Sequence, residues 1–169
     1  MLNKLDSNHI ITTLVSLLKD NRIIHISGDP GTGKSILAQT IAIEYIRVNQ
    51  KQALYIDTMK KFSKKRFLQF FKDNPERDLF SITEIHSLQA QEFLINKLKR
   101  LSDVDKLQDI GLIIFDSISH NLRDELTKGQ FTNYLNTVNG FHAYQIEPLV
   151  RISQKHDIRI IFVHEMSYK

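Results

Sequence analysis

The stretch Gly28-Asp29-Pro30-Gly31-Thr32-Gly33-Lys34-Ser35, GDPGTGKS, decides the fold. It matches G-x-x-x-x-G-K-[ST], and the chemistry asks for those residue types. Glycines let successive backbone N–H groups turn toward one phosphate with no side chain in the way. A helix starting near Gly33 aims its positive end at the same phosphates. Lys34 has the reach for the β- and γ-phosphates, and Ser35 offers a hydroxyl to Mg²⁺. The setting agrees with the motif. The apolar run RIIHIS (22–27) precedes it, and Leu37, Ile41, Tyr45 and Val48 follow at helical spacing. Residues Gly28, Asp29, Pro30, Gly31, Thr32, Gly33, Lys34 and Ser35 are therefore the candidate phosphate cradle.

Working outward, four more short apolar runs recur: QALYID (52–57), LFSIT (79–83), GLIIFD (111–116) and IRIIFV (158–163). None alternates, which is how strands buried on both faces read. Helical spacing lies between them, at Phe67, Phe70 and Phe71, and at Leu94, Ile95, Leu98 and Leu101. Strand alternating with helix implies βαβ units and a parallel sheet covered on both faces, an α/β fold. An amphipathic helix over about 7–20 precedes the first strand. Between Phe131 and Asp157 the helical pattern is broken by Asn139-Gly140 and Pro148. Proline inside a helix costs about 3 kcal/mol, so either a kinked helix or two helices are expected, with Pro148 in the first turn of the second.

The bulk numbers bound the class. With 169 residues, 41% apolar and 25% charged, the chain is one globular domain. No segment reaches the roughly 18 apolar residues of a membrane span, and the first ten residues carry no leader pattern, so a cytoplasmic protein is expected. Cysteine is absent, which excludes disulfides and thiolate metal sites. The seven histidines show no metal-ligand spacing. A net charge of +4 permits a polyanionic partner without requiring one.

The phosphate loop needs a second acid. Asp116 supplies it at the end of GLIIFD, where the Mg²⁺ shell belongs, although an Asp there also suits a cap on the next helix. Hydrolysis needs a third group to position or deprotonate water. One large division of P-loop proteins places it beside the strand-4 acid, but here that residue is Ser117. Another places it just after the second strand.

Three stretches together resemble the RecA/RadA recombinase superfamily, in particular the archaeal RadA/RadB/KaiC-like paralogues: GDPGTGKS, LYIDTMKKF (54–62) and LIIFDSISHNLRDEL (112–126). IRIIFVHEMS (158–167) is similar to the family's fifth strand, so the resemblance covers most of the chain. It implies a RecA-like P-loop NTPase, a three-layer αβα sandwich with a parallel sheet of order 3-2-4-5-1. ATP and Mg²⁺ are the cofactors implied. Lys34 takes the phosphate role, and Ser35 and Asp116 take the metal roles.

The departures matter as much. The family's catalytic glutamate falls on Met59, and a thioether cannot accept a proton. Its γ-phosphate-sensing glutamine falls on Glu165, an acid that repels phosphate unless protonated or paired. Loss of a general base costs about 10²–10⁴-fold in rate, so slow hydrolysis is expected. Asp57 and Glu165 are the carboxylates that could substitute beside Lys34, though each also reads as a structural strand-end acid. After Glu165 only four residues remain, and no helix-hairpin-helix module fits. One RecA-like core over 1–169 is expected, with the edge of the first strand covered either by the extra N-terminal helix or by a homodimer or another protein partner.

Two segments bear on single-stranded DNA. The family's first DNA loop falls on 121–133, with Arg123 and Lys128. The denser cluster KKFSKKRF carries Lys60, Lys61, Lys64, Lys65 and Arg66, with Phe62 and Phe67 between them. Bases could stack on those rings while the cations neutralise phosphates; equally, the cations form a solvated face and both rings lie in the core. The functional expectation is an ATP-binding recombinase paralogue, accessory to DNA recombination or repair. The alternative is a KaiC-like module whose nucleotide state selects a protein partner. Nucleotide kinases share the glycine loop but carry an arginine-rich lid, for which NLRDELTKG (121–129) is a poor substitute.

Overall fold

The computed structural model describes residues 7–71, 75–128 and 134–165. In chain order the elements are helix α1 (Ser7–Asp20), strand β1 (Ile23–Gly28), α2 (Lys34–Asn49), β2 (Gln52–Asp57), α3 (Lys64–Phe71), a short 3₁₀ turn (Pro75–Leu79), β3 (Phe80–Glu84), α4 (Leu88–Asp103), β4 (Ile110–Asp116), α5 (His120–Lys128), α6 (Tyr134–Phe141), a π turn (His142–Ile146), α7 (Glu147–His156) and β5 (Arg159–Glu165). All five strands run parallel in the order β1-β5-β4-β2-β3. This is the implied order 3-2-4-5-1 read from the other edge.

The central strands carry the core. Successive residues of β4 point to opposite faces, so Leu112 and Ile114 join one apolar cluster while Ile113 and Phe115 join the other. The first cluster is closed by Val15 and Leu18 of α1, by the broad buried face of α2, and by Phe67 of α3. The second is closed by Ile95 and Leu98 of α4 and by Leu149 and Ile152 of α7. Gly111 is required by close packing: a Cβ there would lie 2.7 Å from the Tyr45 hydroxyl and 2.8 Å from Lys51 Cβ.

The expectation that every strand is buried on both faces holds for β4 after its first residue, for β2 apart from Gln52 and the half-buried Leu54, and for β5 except at its ends, and fails for β1 and β3. Those two are the sheet edges, so His25, Ser81, Thr83 and their neighbours reach solvent or the rim. Val48, placed on the buried face of α2 by spacing alone, is exposed at the helix's last turn.

From Tyr134 to His156 the interrupted region is one continuous helix with a π turn inside it. α6 passes through the π turn into α7, with Phe141, Ile146 and Glu147 all in right-handed helical conformation. Glu147 N–H reaches back to the carbonyl of His142, one residue further than in an α-helix. This widening lets Pro148 enter the first turn of α7. It also turns Gln145 inward. There its Oε1 accepts from Gln91 Nε2 at 2.8 Å, and Asn121 Nδ2 donates to Gln91 Oε1 at 3.0 Å. This buried amide network ties α4, α5 and the π turn together.

Candidate functional site

In a parallel sheet the strand tips share one edge, and ligands bind there. β1 ends at Gly28 beside Glu165 of β5, and β2 ends at Asp57 beside Asp116 of β4. The four sequence-predicted positions Gly28, Asp57, Asp116 and Glu165 therefore lie along one rim.

The loop from Gly28 to Gly33 is held by one carbonyl. Asp29 O accepts from Thr32 N at 3.4 Å, from Thr32 Oγ1 at 2.8 Å and from Lys34 Nζ at 2.5 Å. Gly31 and Gly33 have φ of +79° and +88°, which L side chains rarely adopt. Gly33 stands before α2 with no side-chain cap, and the first helical bond runs from Leu37 N to Gly33 O. The amides of Gly33, Lys34, Ser35 and Ile36 thus precede the helical ladder and offer four donors at the positive end of a 16-residue helix. Lys34 is only 8% exposed, and among the described residues no carboxylate pairs with its ammonium. A buried cation served only by neutral oxygens beside free amides fits an anion such as a phosphate. Ser35 is the second residue of α2, on the same rim.

Asp116 is buried, and its Oδ2 accepts a hydrogen bond from the Tyr55 hydroxyl of β2. Burial pushes the Tyr55 phenol well above its ordinary pKa, and the Asp116 carboxylate pushes it further, so Tyr55 stays a donor. One carboxylate oxygen is thereby fixed. Ser117 follows with its backbone latched to β2: Thr58 Oγ1 donates to Ser117 O at 2.7 Å and accepts from Ser117 N at 2.9 Å. The Ser117 Oγ itself is buried and has no hydrogen-bond partner among the described residues.

Asp57 faces its own loop. Oδ1 accepts from Met59 N at 2.9 Å and Oδ2 from Phe62 N at 2.8 Å, so both oxygens hold residues 58–62 in shape. Met59 follows the strand tip where the resemblance expects the catalytic acid. Glu165 is paired: its Oε1 accepts from Lys61 Nζ at 3.0 Å.

The basic cluster divides. Lys60, Lys61, Lys64, Lys65 and Arg66 are exposed, but Phe67 is only 5% exposed and Phe62 packs against the core. Their rings form a cluster with Tyr55 and Phe80, with Phe67 and Phe80 centroids 4.6 Å apart. Of the two alternatives, the one with both rings in the core holds: Phe67 is turned to the sheet by α3, and Phe62 is held there by the loop that Asp57 fixes. Arg123 is likewise turned inward, and its guanidinium donates to the Glu165 carbonyl at 2.9 Å. Lys128 ends α5; its side chain and residues 129–133 lie outside the described residues, as do residues 166–169.

Tyr55 and the Lys61 pairing escaped the sequence reading. Tyr55 lies inside the quoted LYIDTMKKF, but its partner is 61 residues away and only the strand register brings them together.

Comparison with known proteins agrees with this geometry. No curated protein matches the chain. Among solved structures it is similar to the RadB recombinase, at 25% identity and a TM-score of 0.64, over 92% of this chain and 68% of that one. A family model described as Novel STAND NTPase 3, nSTAND3, matches residues 7–139. With the glycine loop, Asp116 and strands β1 to β4 all inside that match, this RecA-like P-loop chain belongs to the nSTAND3 family.

Proposed function

We propose that residues 1–169 act as one nucleotide-binding core that takes ATP with Mg²⁺ and hydrolyses it slowly, as an accessory in DNA recombination or repair. The observation that carries the first half is Lys34, a buried ammonium with no carboxylate partner among the described residues, at the uncapped start of α2. Gly28 to Ser35 would hold the phosphates, and Ser35 and Asp116 would hold Mg²⁺, which when bound supplies charge neutralisation at the phosphates. Slow hydrolysis is supported by the strand-tip acids. Asp57 is committed to two amides, Asp116 to a phenol and Glu165 to Lys61, while Met59 carries no base. The recombination role is supported by the likeness to RadB. Calorimetric titration tests the site: wild type binds Mg²⁺·ATP, and Lys34→Ala weakens it by about tenfold or more, the worth of a charged hydrogen bond. Equal binding by both proteins contradicts the assignment.

A second reading is favoured by Phe62 and Phe67. With both rings in the core, the exposed cations of residues 60–66 lack a stacking platform, which suits a module whose nucleotide state selects a protein partner. Filter binding of single-stranded DNA at low and high salt separates the two. Binding that falls steeply with salt supports the DNA role, and no binding at low salt supports the regulator.

A further inference from the structure

Glu165 stands beside the first glycine of the phosphate loop, in register with Gly28. A bare carboxylate there opposes a terminal phosphate by like-charge repulsion. Its partner Lys61 comes from the other side of β4. The strand order is β5-β4-β2, and neighbouring strands lie about 4.8 Å apart, so the ion pair bridges about 10 Å across the tip that bears Asp116.

The backbone under both residues is fixed. Met59 and Phe62, which flank Lys60 and Lys61, donate their N–H groups to Asp57, and Phe62 is pinned by the rings of Tyr55 and Phe67. Lys60 takes a left-handed φ of +55°, which turns the chain back toward the rim. On the other side Arg123 holds the Glu165 carbonyl. The Lys61 side chain, in contrast, is 59% exposed, so its ammonium is free to exchange acceptors over the strand tips.

We propose that Lys61 is a specificity-determining residue that reads the terminal phosphate: it masks Glu165 and supplies the cation that admits a nucleoside triphosphate in preference to a diphosphate. This rests on the assignment of residues 28–35 as the nucleotide site. A surface ion pair with no such task stabilises by at most about 1 kcal/mol and leaves nucleotide preference alone.

The test is calorimetric titration of Mg²⁺·ATP and Mg²⁺·ADP into wild type, Lys61→Met and Lys61→Met/Glu165→Gln. Lys61→Met is expected to weaken ATP about tenfold, the worth of a charge-assisted bond, and ADP by no more than about twofold. The double variant recovers part of the ATP affinity, the part lost to the unmasked Glu165 carboxylate, while the part lost with the Lys61 cation stays lost. ADP binding by each variant reports that the fold is intact. Equal weakening of both nucleotides, or of neither, overturns the proposal and leaves the nucleotide site standing. A wild type that binds neither nucleotide overturns both.

Discussion

At the scale of single residues, the rim is organised by what each acid already holds. Asp116 is fixed by Tyr55, Glu165 by Lys61, and Asp57 by two backbone amides. A buried carboxylate that loses a donor bears the full cost of the unmet hydrogen bond. Tyr55→Phe is therefore expected to lower stability by about 1–3 kcal/mol, read from the urea midpoint at unchanged slope. An unchanged midpoint contradicts the Tyr55–Asp116 bond. The same logic separates the two roles that the sequence left open for Asp57. Asp57→Ala is expected to cost about 2 kcal/mol or more of stability, since two amides lose a charged acceptor. Urea denaturation together with phosphate-release rates distinguishes the roles. A variant of unchanged stability and much slower release would make Asp57 a base instead of a clamp.

At the scale of elements, the glycine loop and its flanks were legible because local chemistry dictates them. The phosphate-loop glycines at 31 and 33 adopt positive φ, and an apolar strand and helix bracket them. Edge positions were legible only through the order that the resemblance implies, since RIIHIS and LFSIT by themselves read like their neighbours although each has one side bare. The kink before Pro148 was legible as a break, but its solution was not. The π turn satisfies Gln145 through Gln91 and Leu88 of α4, with Asn121 of α5 holding Gln91 in turn, and only tertiary packing brings those partners together. The basic segment at 60–67 shows a third kind of limit. Composition gives cations and rings together, and the structure separates them: α3 sends Phe67 to the core, the loop held by Asp57 does the same for Phe62, and the cations face solvent.

At the scale of the whole molecule, five parallel strands bring one loop and three acids from distant parts of the chain to a single rim. No described helix is long and apolar enough to cross a membrane. In the proposed function the rim holds the phosphates at residues 28–35 and Mg²⁺ at Asp116, while the position after β2 carries the sulfur of Met59 in place of a carboxylate. That combination is the central claim, and single-turnover phosphate release from bound ATP measures it. Wild type is expected to release phosphate slowly, and Met59→Glu about 10²-fold faster or more, the contribution of a positioned base. Rapid release by wild type, matched by Met59→Glu, would contradict it.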